Sequence, residues 1–212
     1  MGKSKENKVG DERTEMRIVI ILLAACLLLG FATPSFAGPA LDTVKSNADE
    51  VLKVVTNTAY KGEAGKKAKQ EQIRKISLKM FDFAELSKRT LGLNWNKFST
   101  AQRQEFVDLY KGILEDAYVD KITSYTDERI NYTKELQLSE NSAEVQSTVV
   151  TKSGEIPVYY RMHNKDGQWR VYDVVIEGVS LVNNYRTQFR EILANNQPEY
   201  LLDTMRKKVQ KK

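Results

Sequence analysis

The sequence predicts an α+β fold in which helices pack on one face of a curved four-stranded antiparallel sheet and enclose an apolar pocket. Two observations carry this. Apolar residues recur at helical spacing over residues 41–124, alternate over residues 129–176, and return to helical spacing after residue 178. Helices, then strands, then helices in one chain argue for α+β. The links between the four alternating segments are short and polar, which implies antiparallel hairpins.

The N-terminal 37 residues read as an export signal, leaving residues 38–212 as a single domain. Arg17 closes a charged segment, Ile18 to Ala32 is an apolar run of 15 residues, and Ser35-Phe36-Ala37 offers small residues for cleavage after Ala37. The run is short of the ~20 residues of a spanning helix. Two alternatives stay open: an uncleaved anchor, and a lipoprotein at Leu23-Ala24-Ala25-Cys26. Met16 offers a second start. Cys26 is the one cysteine in the chain, so the exported part has no disulfide.

Leu41, Val44, Ala48, Val51, Leu52 and Val55 predict the first helix, which Gly62 and Gly65 should end. A second runs from about Lys66 to Lys79 with Ile73 and Ile76 inward. At Phe81-Asp82-Phe83-Ala84-Glu85-Leu86, Asp82 caps a third helix, Glu85 can reach back, and Gly92 stops it. Ser99 and Gln102 form a further capping box. The long helix after it carries Phe106, Leu109, Tyr110, Ile113, Leu114, Ala117 and Tyr118 on one face.

Strands follow at residues 129–137, 143–151, 155–163 and 168–176. In the fourth, Tyr172, Val174 and Ile176 are expected to alternate with Trp169, Val171 and Val175, so both faces are apolar. Pro157 suggests a local edge in the third. Leu181, Val182, Tyr185, Phe189, Ile192 and Leu193 then form a helix face, and Pro198 opens a final helix.

The chemistry-bearing residues are sparse. His163 is the one histidine, at a strand end beside a polar turn, and reads as a surface residue. With no cysteine in the exported part, a zinc site is improbable, and no metal or cofactor is expected. Ser180 reads as an N-cap rather than a nucleophile. Asp173 and Glu177 could mimic an acid and a base, but capping and pairing with Arg186 explain them too. The net charge of +5 is dispersed, in Lys66-Lys67, Lys69 and the tail from Arg206, which does not make a nucleic-acid stripe.

The run Trp169-Arg170-Val171-Tyr172-Asp173-Val174-Val175-Ile176-Glu177-Gly178-Val179-Ser180-Leu181-Val182, followed by Tyr185-Arg186 and Gln188-Phe189, resembles the MlaC, or toluene-tolerance, proteins of Gram-negative bacteria. Phe81-Asp82-Phe83, Leu91-Gly92 with Trp95, Ser99 with Arg103 and Glu105-Phe106, and Val158-Tyr159-Tyr160-Arg161 agree in order. The resemblance implies a periplasmic phospholipid carrier, not an enzyme. Its cargo would be phospholipid acyl chains. Its partners would be an outer-membrane lipoprotein–porin complex and an inner-membrane ABC transporter with an MCE-domain subunit, serving outer-membrane lipid asymmetry. By face, the expected pocket lining is Tyr110, Leu114, Val145, Val149, Val158, Tyr160, Met162, Tyr172, Val174 and Ile176. A monomer is expected, since no heptads are visible. Two other classes compete: an enzyme on a cone-shaped helix–sheet fold using Asp173, and a ligand-free envelope adaptor contacting partners through Tyr185 and Arg186.

Overall fold

Side-chain caps set the starts of three helices where the sequence marks them, at Asp82, Ser99 and Ser180. A computed structural model of the chain describes residues 38–125 and 129–210; the export-signal reading, Cys26 included, lies outside the described residues. Helix α1 (Pro39–Thr56) begins with proline in its first turn. Its Leu41 amide donates to Glu135 Oε2 at 2.7 Å, tying the helix start to the sheet. Helix α2 (Gly62–Met80) starts earlier than expected. Gly65 lies inside its first turn, where a Cβ would come 2.5 Å from the Tyr60 backbone.

Asp82 caps α3 (Phe83–Leu91) by accepting from the Glu85 amide at 2.9 Å. Glu85 does not reach back; its carboxylate pairs with Arg89 one turn on, at 2.7 Å. Gly92, at φ 54°, stops the helix as expected, and a 3-10 segment (Gly92–Lys97) follows. Ser99 and Gln102 form the full capping box of α4 (Thr100–Thr123).

The sheet holds β1 (Arg129–Ser139), β2 (Ser142–Thr151), β3 (Gly154–Lys165), β4 (Gln168–Ile176) and β5 (Val179–Ser180), in sequence order and all antiparallel. It therefore has five strands rather than four. The fifth is two residues long, created by a turn in which Glu177 and Gly178 both take positive φ, 50° and 82°. Asp166 and Gly167 do the same between β3 and β4, at 53° and 80°. Such left-handed pairs match the twist of two-residue hairpins. Helices α5 (Leu181–Ala194) and α6 (Pro198–Gln210) complete the chain. Strand β1 is an edge, and its register slips twice, at Tyr132/Lys134 and at Gln137/Ser139.

One further slip decides which side chains share a face. Arg161 pairs with Asp173, but Met162 pairs with Val171, so Tyr172 is the extra residue of a bulge. Trp169 and Val171 thereby join Val174 and Ile176 on one face. Tyr172 is turned to the reverse face, where Arg89 lies 3.8 Å over its ring and His163 meets it edge-on.

The apolar side chains form three separate clusters. Ala40, Leu41 and Val44 of α1, with Met80 of α2, cover one face of the sheet. Leu86, Phe106, Tyr110, Phe189 and Leu201 belong to a second, all-helical cluster of α3 to α6. Val55, Ile73 and Val119 form a small third one. The reverse face of β4 is met by α3 and α5.

Candidate functional site

The sheet face under α1 is apolar and incompletely covered. Val145, Val158, Met162 and Val174 are buried within its cluster. Val149, Tyr160 and Ile176 pack at its margin, partly exposed, together with Ile156, Tyr132 and Leu181. Register explains the grouping: Val145 stands opposite Tyr160, Ser147 opposite Val158, and Val149 opposite Ile156, so all point the same way.

Seven of the ten expected lining residues are thus together, and three are elsewhere. Tyr110 and Leu114 sit in the helical cluster. Tyr110 is 0% exposed, wedged edge-on against Tyr185 and Phe189. Tyr172 is on the reverse face because of the bulge. The same cluster also holds Tyr132, Ile156 and Trp169, with Ala40, Leu41 and Val44 facing them, none of which was among the expected lining. Tyr132 was detectable from its alternation with Ile130 on β1.

The electrostatics mark an interior surface. Tyr160 keeps some accessible surface, yet burial pushes its phenol up to about 12. Burial also raises the Tyr132 phenol. The Tyr132 hydroxyl is shielded and has no hydrogen-bond partner, which costs about 1–3 kcal/mol. Ser147, the buried hydroxyl beside it, donates to the Val158 carbonyl at 2.8 Å, so it leaves the face effectively apolar.

Other candidates resolve into structural roles. Asp173 is 2% exposed. It accepts from the Val182 amide at 3.0 Å, from Ser180 Oγ at 2.7 Å and from Arg161 at 3.2 Å. Ser180 in turn accepts from the Asn183 amide at 3.0 Å, the expected cap. The arginine partner of Asp173 is Arg161; Arg186 instead donates to the Arg89 carbonyl. Glu177 is exposed in its turn and caps nothing. His163 Nε2 lies 3.1 Å from Asp82 Oδ2, joining the end of β3 to the cap of α3 rather than standing free at the surface. Among the described residues, no group of three His, Cys, Asp or Glu side chains is placed to hold a metal ion.

Two surface clefts lie away from this face. One of about 370 Å³ is bordered by Phe81, Asp82, Lys165 and Arg170, and one of about 310 Å³ by Tyr60, Lys66, Lys69 and Asp120. Charged rims of this kind suit water better than an apolar ligand.

A curved antiparallel sheet with a helix laid across its apolar face, and with Asp82, Ser99 and Ser180 engaged in helix caps, defines an α+β sheet–helix domain. The chain belongs to the MlaC family, whose family model, "MlaC protein", matches residues 45–207. It is 28% identical over 101 residues to the intermembrane phospholipid transport system binding protein MlaC of Haemophilus influenzae. That match covers 45% of this chain and 47% of that protein, so the chain spans about half the length of this relative. It is 24% identical over 182 residues to a toluene tolerance protein of Pseudomonas putida, covering 85% of this chain and 83% of that one. The fold is similar to that of a phospholipid-binding protein of Ralstonia solanacearum, solved with a phospholipid bound. The TM-score is 0.72 at 20% identity, over 82% of this chain and 98% of that one.

Proposed function

We propose that the protein is a periplasmic phospholipid carrier. It takes lipid between an outer-membrane lipoprotein–porin complex and an inner-membrane ABC transporter with an MCE-domain subunit, and so maintains outer-membrane lipid asymmetry. It binds its cargo by the acyl chains, against the sheet face of Val145, Val149, Val158, Tyr160, Met162, Val174 and Ile176. It acts as a monomer and catalyses no reaction. Residues 1–37 are its export signal, cleaved after Ala37, and residues 38–212 form one lipid-binding domain.

The observation that carries this reading is the incompletely covered apolar face, with Val149, Ile156, Tyr160 and Ile176 accessible at its margin. The buried side chains fall into three clusters, with Phe81 packed between the sheet cluster and the helical one. Each CH₂ of an acyl chain placed there gains about 0.8 kcal/mol, so two chains supply ample affinity without a headgroup clamp. Membership of the MlaC family and the phospholipid named for two relatives support the same cargo.

The test is native mass spectrometry of the exported protein, purified without detergent. The expected mass is a chain beginning at Gly38 plus one phospholipid. A protein that is lipid-free, and stays so after exposure to liposomes, overturns the carrier reading.

A further inference from the structure

The apolar face carries one polar atom that the protein leaves unanswered. Tyr132 stands on β1 opposite Ser147 of β2 and packs at the margin of the sheet cluster. Its hydroxyl is shielded from water and has no hydrogen-bond partner. Ser147 cannot supply a free donor, because its hydroxyl is bonded to the Val158 carbonyl. Tyr160 and Asp49 are near enough to act electrostatically on the phenol, but neither bonds to it. Buried tyrosine hydroxyls nearly always find a partner, so an orphan on a ligand-binding face points to an acceptor that arrives with the ligand.

The chemistry of that acceptor follows from its surroundings. The phenol stands at the margin of an apolar cluster, where a charged phosphate is costly to desolvate and a neutral oxygen is tolerated. In a diacyl glycerophospholipid the neutral acceptors nearest the acyl chains are the ester carbonyls. Resting on the carrier reading above, we propose that Tyr132 Oη donates a hydrogen bond to an acyl-ester carbonyl of the bound lipid, and that this bond selects ester-linked over ether-linked phospholipids. An ether-linked chain has no carbonyl oxygen, and its one oxygen lies closer to the glycerol, away from the position the carbonyl occupies. Acyl chains entering against the sheet would displace the apolar groups that now shield the hydroxyl. The ligand-free protein thus carries a small instability that the cargo relieves, a common arrangement at binding sites.

The experiment uses the exported protein, wild type and Tyr132→Phe, stripped of lipid. Each is exposed to vesicles holding equal amounts of dipalmitoyl and dihexadecyl phosphatidylcholine, which share headgroup and chain length. Native mass spectrometry reads the bound ratio. The wild type should take the ester lipid in about tenfold excess, the ratio one hydrogen bond provides, and Tyr132→Phe should take both about equally. Tyr159→Phe, which removes a phenol from the reverse face of the same sheet, should keep the wild-type ratio. Ligand-free Tyr132→Phe should melt no lower than wild type, since the hydroxyl it loses has no internal partner. A lower melting temperature would reveal an internal partner, such as an ordered water, and overturn the proposal. So would an unchanged ratio in Tyr132→Phe, or no ester preference in the wild type, while the carrier reading stands. If the wild type binds neither lipid, the carrier reading itself fails.

Discussion

Asp173 shows how a carboxylate can be bonded into the start of a helix. Three donors converge on its carboxylate, two of them at the start of α5. Replacing it with alanine strands the Val182 amide and the Ser180 hydroxyl in a buried place. Asp173→Ala should therefore lose about 2–4 kcal/mol of stability in urea unfolding, whereas Asp173→Asn, which keeps one carbonyl oxygen for the Val182 amide, should lose less. Because Arg161 retains Glu144 at 3.1 Å, the penalty falls short of a fully orphaned charge. Folded Asp173→Asn should still load lipid, since the carboxylate lies on the face away from α1; loss of loading without loss of stability would favour the enzyme reading. The capping role was legible in the sequence, because Ser180 precedes a helical face and Asp173 lies within reach of it. The arginine partner was not, since β3 pairing brings Arg161 across and no local spacing announces it.

At the scale of elements, the hairpins were readable and the bulge was not. Asp166-Gly167 names its turn by residue type, because glycine tolerates the left-handed backbone that the turn requires. The bulge at Tyr172 has no glycine or proline to mark it, and so alternation alone placed Tyr172 with Val174 and Ile176. Periodicity likewise assigned Tyr110 and Leu114 to an apolar face of α4 correctly, but it carries no information about which neighbour that face meets. The observed layers sharpen a test of the lining. Val149 is partly exposed at the cluster margin, so Val149→Trp should cover the accessible part of the face, leave the fold intact by circular dichroism and reduce co-purified lipid several-fold. Val174 is 6% exposed, and Val174→Trp should overpack the interior at about 1–3 kcal/mol or more and lower the melting temperature.

Across the whole molecule, phenols are distributed so that alkali attacks several clusters together. Burial is the largest cause raising Tyr110 in the helical cluster and Tyr132 and Tyr160 on the sheet. A group whose proton is held more tightly when folded stabilises the fold fully below its unfolded value, here 10.0, and loses that contribution as pH climbs through the folded value, about 12 for Tyr160. Stability should therefore decline between about pH 10 and 12. Absorbance at the phenolate band should show these tyrosines ionising together with the loss of helix signal, and bound lipid should shift the transition upward. Ordinary phenol titration completed well before unfolding would contradict the interior placement. The division into three clusters, on which this rests, was the least legible feature of the sequence. Apolar residues at correct spacing state that a face is buried, and only the assembled elements state how completely.

The two register slips in β1 have a further consequence. The strand that presents Tyr132 to the apolar face also has one side of its backbone unpaired by the sheet. A straight strand of that length would offer copies of itself a template for growing side by side into fibres. The slips beside Tyr132 and Gln137, with Lys134 between them, bend the strand and interrupt the row of amides and carbonyls that a second chain would need. Resistance to edge-to-edge association is therefore built into the same strand that carries Tyr132.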